Sequence, residues 1–244
     1  MRRLLVLAAL VGACSNTTGG DLITLPFVAG GTALGTFTTP TGWSVTLDQA
    51  VIAAGPFYFN VDPPSTDEFR SGVVIVQATE QAVIDTLDPT MNPVTGGANG
   101  ETGSAVSVEI GLLAPDSTNI ANPNASMLDS GFAYVEGTAV NGAMTVPFEG
   151  EVIVDQTLVT PTEPLADLQR IRGASVALTF TSAPQTLELR VDPTHWFDQS
   201  DFSQISATGG TWTVDTTFAA QLLEGVKGET GVYQFDLVPT AGAM

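Results

Sequence analysis

The chain has 244 residues, of which 26 are acidic and 7 basic, and its net charge is −19. This balance argues against nucleic acid as a partner, because nucleic-acid recognition needs a basic surface. It also argues against electrostatic binding to an anionic lipid surface. An acidic surface suits bound cations, but it also keeps a protein soluble without any metal, so both explanations stay open.

The first 13 residues predict a signal peptide. Two arginines precede an unbroken apolar run over residues 4–11, and two small residues follow at Gly12 and Ala13. The run is too short to span a bilayer as a helix, which takes about 20 apolar residues. Beyond this run the sequence predicts no transmembrane helix.

The tetrapeptide Val11-Gly12-Ala13-Cys14 resembles the lipobox of bacterial lipoproteins. The resemblance implies cleavage after Ala13, a diacylglycerol thioether on Cys14 and an acylated new amino terminus, and two or more acyl chains anchor a protein stably. Ser15 occupies the position after the lipidated cysteine, which resembles the sorting position of bacterial lipoproteins, and the resemblance implies that serine there permits transport to the outer membrane. The alternative is a buried structural cysteine. Cys14 is the one cysteine of the chain, so a lipidated Cys14 excludes an intramolecular disulfide.

The sequence divides into a signal peptide (1–13), a lipidated cysteine with a flexible polar tether (14–20) and one domain (21–244), which is long enough to bury a core. In this domain, apolar and polar residues alternate with the period of half-buried strands. Segments with this pattern include 43–47, 57–61, 106–110, 132–138, 143–148, 151–159, 176–180, 187–191, 212–214 and 233–237. The continuous β-branched run over 73–76 fits a strand buried on both faces. Residues 82–87 fit a strand or a short helix, and we favour the strand.

Turn signals predict two hairpins and two loops. Asn141-Gly142 predicts a hairpin, and residues 182–185 predict another between 176–180 and 187–191. Residues 88–103 and 115–130 lack apolar periodicity and predict long loops.

Short helices are predicted at 162–169 and 218–226. Together these patterns predict an all-β fold, a two-sheet antiparallel β-sandwich of about ten strands with one or two short helices. A closed barrel is the alternative.

His195 is the only histidine, with Asp198 and Asp201 close by in sequence. Nucleophilic catalysis needs a placed serine beside such a base, and no Gly-x-Ser-x-Gly elbow is present, so we expect no enzymatic activity. The alternative to a functional His195 is structural: the neighbouring aromatic residues Trp196, Phe197 and Phe202 close the sandwich, with His195 half exposed.

The candidate ligands suit two metals, calcium and copper. Calcium prefers clustered oxygen ligands. The candidates are Asp116, Asn119, Asn122, Asn124 and Asp129 in one loop, with Asp198 and Asp201 in another. Their spacing does not follow an EF-hand, and a solvated polar loop is the alternative explanation.

Copper is suggested by His195-Trp196 together with Met91, Met127 and Met144 in a β-rich envelope protein. In architecture the chain resembles the methanobactin-associated periplasmic copper-binding proteins. The resemblance implies a Cu(I) site built from His195 and Met. Sites of that kind use more than one histidine, and this chain has one.

The sequence therefore predicts a membrane-anchored envelope lipoprotein, in the outer membrane rather than the inner, that acts as a non-enzymatic binding or structural module. Its partners would be the membrane, through the lipid, and an envelope protein that contacts loops 88–103 and 115–130. The alternative is a periplasmic metal-binding protein that uses calcium or copper. No other cofactor is expected.

Overall fold

The computed structural model describes residues 19–63, 72–115, 123–154, 169–205, 210–212, 216–228 and 230–240. Within them the chain forms 15 strands, one α-helix and three 3₁₀ helices. The strands are β1 (Leu22–Leu25), β2 (Phe27–Gly30), β3 (Phe37–Thr38), β4 (Ser44–Ala54), β5 (Phe57–Asn60), β6 (Val74–Ala78), β7 (Ala82–Asp85), β8 (Asn92–Pro93), β9 (Ala98–Glu101), β10 (Gly103–Gly111), β11 (Ala133–Asn141), β12 (Met144–Val152), β13 (Arg170–Phe180), β14 (Gln185–Val191) and β15 (Tyr233–Pro239). The helix α1 is Thr217–Val226, and the 3₁₀ helices are Pro123–Met127, Pro193–Phe197 and Phe202–Gln204.

These strands form three hydrogen-bonded sheets. The six-stranded sheet has the order β1-β9-β6-β5-β10-β13, with antiparallel pairings throughout. The five-stranded sheet has the order β12-β11-β4-β3, and β7 also pairs with β4. The four-stranded sheet has the order β15-β14-β2-β8, in which β14 and β2 are parallel.

This architecture confirms the prediction of an all-β, sandwich-like fold. The strands outnumber the predicted count because the two-residue strands β3 and β8 and the four-residue strands β1, β2 and β9 are too short to show a clear alternating pattern. Alternation identifies a half-buried strand but does not identify its neighbour. The division into three sheets and the parallel pair therefore do not follow from the pattern.

The prediction of a long loop over residues 88–103 is wrong. In this segment β8 pairs with β2, and β9 lies between β1 and β6, where Gly100 is opposite Val76. Gly100 of β9 has no side chain because the neighbouring backbone is close: a Cβ at this position would overlap the Ile75 carbonyl oxygen. Glycine here marks a close approach of two strands, which the sequence pattern does not distinguish from a loop.

The hairpin predicted at Asn141-Gly142 is confirmed. It joins β11 to β12 with Asn141 opposite Met144, and Gly142 has a φ of 60°. Two-residue hairpin turns need such positive φ values, and glycine adopts them without steric cost.

The hairpin predicted between 176–180 and 187–191 is wrong. β13 pairs with β10 along its length, whereas β14 pairs with β15 and β2. A side chain closes the connection: the Gln185 Oε1 oxygen accepts hydrogen bonds from the Thr181 amide and hydroxyl, each at 3.0 Å. The chain changes sheet at this turn.

One large core cluster draws on all three sheets and on α1. Phe57 and Phe59 of β5 meet Phe235 of β15 in edge-on contacts, with ring centroids 6.0 and 5.3 Å apart. Such contacts are worth about 0.5–1.5 kcal/mol beyond the buried area, and here they join the six-stranded and four-stranded sheets.

Several predictions concern residues outside the described part of the chain. They are the signal peptide, Cys14 and most of the tether, the helix over 162–169, and the end of the strand over 151–159. In the described part, no helix is long and apolar enough to cross a membrane.

Candidate functional site

The five-stranded sheet is covered by a cap, which we define as residues 193–205 together with α1. Phe202 lies at its centre, fully buried, with ring centroids 4.9 Å from Phe148, 5.3 Å from Phe218 and 5.4 Å from Trp43. Trp196 and Phe197 are fully buried too. This confirms the interpretation in which aromatic side chains close the sandwich.

Two aspartates fix the backbone of the cap. Asp192 accepts the Thr194 amide at 2.9 Å and precedes Pro193, which suits the first position of a helical turn. Asp201 accepts the Ser203 amide at 3.1 Å and begins the next 3₁₀ helix in the same way. The predicted site residue Asp201 therefore has a structural role as a helix cap.

The structure brings His195 and Asp198 together on the surface of the cap. The His195 Nδ1 nitrogen lies 3.0 Å from the Asp198 Oδ2 oxygen, and their side chains are 46% and 43% exposed. A carboxylate accepts a hydrogen bond only from a protonated Nδ1, so in the neutral ring the lone pair is on Nε2. Metal-bound histidines in proteins are held by a carboxylate in this way.

The imidazole ring of His195 packs closely against Gly231. This glycine has a φ of 82°, and a Cβ at this position would lie 2.8 Å from the His195 Nε2 nitrogen. Only glycine meets both conditions, because other residues are strained at this φ and would push the ring away. The ring position therefore depends on the backbone that leads into β15.

A cleft of about 640 Å³ opens beside the cap. It combines an indole and a thioether with amide, hydroxyl and carboxylate groups. Its lining residues are Thr41, Trp43, Asn141, Met144, Asp201 and Ser203.

Hydrogen bonds fix one wall of this cleft. The Thr41 hydroxyl donates to the Ser200 carbonyl oxygen at 2.9 Å and lies 2.8 Å from the Thr39 hydroxyl. The Thr39 hydroxyl oxygen accepts the Trp43 amide at 3.1 Å. The loop before β4 is thereby tied to the cap, so the cleft is built on rigid elements.

The other predicted site residues are dispersed. Met91 lies beside β2, since a Cβ at Gly30 would be 3.0 Å from the Met91 sulfur. Asp129 lies in the turn before β11, where the Glu151 carboxylate accepts backbone amides, including that of Gly131 at 3.1 Å. Met127 ends a 3₁₀ helix.

Asp116 and Asn119 lie outside the described residues. Within the described ranges, no three His, Cys, Asp or Glu side chains are grouped so as to hold a metal ion. The metal-ligand assignments stay predictions.

A second concave surface, of about 250 Å³, has an acidic lining that the sequence interpretation missed. Asp48, Glu136 and Glu149 contribute to it, and Glu136 lies directly opposite Glu149 across β11 and β12. The turn signal alone does not predict this pairing, because Asn141-Gly142 as the two turn residues would place Glu136 opposite Pro147, two residues away from the observed partner.

Tyr134 lies next to this acidic surface. Its hydroxyl donates to the Glu136 carboxylate at 3.4 Å. Partial burial, followed by the negative charges of Glu136 and Glu149, raises the pKa of the Tyr134 hydroxyl above its ordinary value. The surface therefore disfavours any further negative charge.

No protein-family model matches the chain, and no curated protein matches it. Among solved structures, MbnP from Methylosinus trichosporium is similar over 75% of this chain and 79% of its own chain, with 12% sequence identity and a TM-score of 0.33. A likeness of this size carries no argument about function.

Proposed function

We propose that the protein is a lipid-anchored envelope lipoprotein whose sandwich is a non-enzymatic binding module, and that the cleft beside the cap is its contact site. The observation that carries the proposal is the cleft itself, in which Trp43 and Met144 lie among polar groups on a hydrogen-bonded scaffold.

The anchor is supported by Val11-Gly12-Ala13-Cys14, which follows a basic and then an apolar segment. Ser15 favours the outer membrane. A lipid on Cys14 places the domain in the envelope, facing the periplasm or the cell surface.

The cleft is supported by the chemistry of its lining. Met144 is 45% exposed, although large apolar side chains are mostly buried elsewhere in the described fold. Methionine adapts to varied apolar partners, and the neighbouring Asn141 and Asp201 supply polar groups that orient a ligand. This contact site replaces the one predicted at 88–103, where the structure has strands.

Crosslinking in intact membranes tests this proposal. A photoreactive residue is placed at Met144, and a matched control is placed at Leu113, which is 38% exposed and outside the cleft. We expect a discrete adduct from position 144 and none from position 113. Adducts of equal yield at both positions, or none at either, contradict the cleft as the contact site.

A second variant tests the role of the carboxylate. Asp201→Asn keeps a side-chain acceptor for the Ser203 amide, because asparagine caps helical turns as well as aspartate does. We expect the adduct at Met144 to fall at least about tenfold, which corresponds to 1.4 kcal/mol of binding, if the charge contacts the partner. An unchanged crosslinking yield at position 144 would show that the Asp201 charge does not contact the partner.

The second candidate function is metal binding, which the His195–Asp198 pair favours. Metal content is measured on the full chain purified from membranes, and on His195→Ala and Asp198→Asn. Stoichiometric copper that is lost in His195→Ala supports a copper site. Stoichiometric calcium that is lost in Asp198→Asn but kept in His195→Ala supports a carboxylate site. A metal-free protein that takes up neither ion contradicts this candidate.

A further inference from the structure

The topology gathers strand ends at one end of the six-stranded sheet. β1 begins at Leu22, opposite Glu101 at the end of β9. β6 begins at Val74, opposite Asn60 at the end of β5. β10 pairs with the same Asn60 through Ser107, so its first residues extend beyond β5 at this end.

Exposed apolar side chains are concentrated at this end, which we call the apolar end. In the described part of the chain, eight large apolar side chains are exposed, and five of them lie here. Single exposed residues are ordinary, but a group of them marks an interaction surface. The five are Leu22 (86% exposed), Val73 (49%), Val74 (39%), Val106 (39%) and Val61 (38%).

The exposure of Val73 and Val74 departs from the sequence pattern. The continuous run over 73–76 predicts a strand buried on both faces. In the structure Ile75 and Val76 are buried, while the first two residues are not. Packing within this sheet therefore does not explain why valine occupies both positions.

The apolar end is also where the tether joins the fold. The Asp21 amide donates to the Thr102 hydroxyl at 2.9 Å, and the Asp21 carbonyl oxygen accepts the Thr102 amide at 2.9 Å. These bonds fix the chain where it enters β1. Cys14 precedes Gly19, the first described residue, by five positions. Five residues span at most about 18 Å, so an acylated Cys14 stays close to the apolar end.

We propose that the apolar end lies against the lipid bilayer, with Leu22, Val73 and Val106 in contact with its interface. This inference rests on the proposed lipid anchor at Cys14 and adds an orientation to it. The lining residues of the cleft come from the five-stranded sheet, the loop before β4 and the cap, and none of them belongs to the six-stranded sheet.

The acidic side chains at the apolar end indicate which lipid headgroups it can approach. Asp21, Asp62 and Glu101 lie at the apolar end, and Asp62 accepts the Val73 amide at 3.2 Å. Their carboxylates repel an anionic headgroup layer. The structure therefore assigns a zwitterionic surface to this end, with attraction from apolar contact and from the short tether.

Depth-dependent quenching tests the orientation. Val106→Cys and Val140→Cys are labelled with the same environment-sensitive fluorophore in the full lipidated chain. Val140 is the matched control, since it is 38% exposed and lies in the five-stranded sheet. Because acylation consumes the Cys14 thiol, the introduced cysteine carries the label. The proteins are reconstituted in phosphatidylcholine vesicles that contain a lipid with a quencher near its headgroup.

We expect the label at position 106 to be quenched at least about twofold more than the label at 140, and a label at Leu22→Cys to behave like the one at 106. In phosphatidylglycerol vesicles the difference should shrink. Equal quenching at all three positions overturns the orientation, and so does stronger quenching at 140.

Intact mass of the same samples separates the two claims. Acylated protein with equal quenching overturns the orientation and leaves the anchor in place. Protein without acyl chains overturns the proposed anchor and the orientation that rests on it.

Discussion

Replacement of Phe202 by alanine should cause a large loss of stability in the cap. Phe→Ala substitutions in protein cores cost about 3–5 kcal/mol. We expect about 4–5 kcal/mol here, because the ring is fully buried and contacts four other aromatic rings, those of Trp43, Phe148, Phe197 and Phe218. The total stability of a domain is typically about 5–15 kcal/mol, so the variant should be marginally folded.

Urea denaturation followed by tryptophan fluorescence measures this loss, because all three tryptophans are buried in or beside the cap. Phe37→Ala is the control: this ring is only partly buried and packs on Phe197 at a centroid distance of 5.9 Å. We expect the control to lose about 1–2 kcal/mol. If Phe202→Ala loses less than about 2 kcal/mol, or no more than Phe37→Ala, the cap is not packed as described.

Three further predictions follow from the site geometry. Gly231→Ala should move the His195 ring and lower the free energy of unfolding more than Gly142→Ala does, because Gly142 has a similar positive φ but no atom within 4 Å of the new Cβ. Nitrogen-15 spectra of the single histidine and urea midpoints measure these effects. Equal losses of stability with an unmoved histidine signal would refute the prediction. Glu149→Lys should stabilise the protein by about 0.5–1 kcal/mol at low salt, because it replaces a like-charge pair with Glu136 by an opposite pair; a gain that does not shrink in high salt would contradict the electrostatic explanation. The Tyr134 hydroxyl should ionise at higher pH in the folded chain than in urea, because its pKa is raised in the folded state. Its contribution to stability is therefore complete below the unfolded pKa of about 10 and is lost as the pH rises through the folded pKa. Ultraviolet titration of the wild type against Tyr134→Phe measures this, and ionisation at the same pH in both states would refute the role of the neighbouring glutamates.

The fold class followed from the sequence because strand periodicity and turn chemistry are local signals. The hairpin at Asn141-Gly142 needed only a turn with positive φ, and α1 needed only apolar residues on one helical face.

Strand pairing was harder to predict because it depends on distant residues. β13 and β14 each alternate well and are close in sequence, yet they lie in different sheets. β9 consists of Ala-Asn-Gly-Glu and shows no alternation, and its Gly100 is required by the close approach of the β6 backbone, which lies far away in sequence. Sequence pattern reports burial, whereas partners are decided by packing across the whole fold.

The candidate site was predicted in part. His195 and Asp198 are near in sequence and meet in space, as their spacing across one helical turn allows. The cleft joins Thr41 and Trp43 to Asn141, Met144 and residues after 200, and nothing local links these three segments. The pairing of the glutamates on β11 and β12 was not predictable from the turn signal, because the observed turn residues are Gly142 and Ala143 rather than Asn141 and Gly142.

The lipid on Cys14 is the central claim, since the envelope location and the orientation both rest on it. Mass spectrometry of the amino-terminal peptide from membrane-purified protein tests it most directly. The account predicts a peptide that begins at Cys14 and carries a diacylglycerol thioether with an acylated amino terminus. A peptide that begins at Met1, or one with an unmodified Cys14 thiol, would contradict the account.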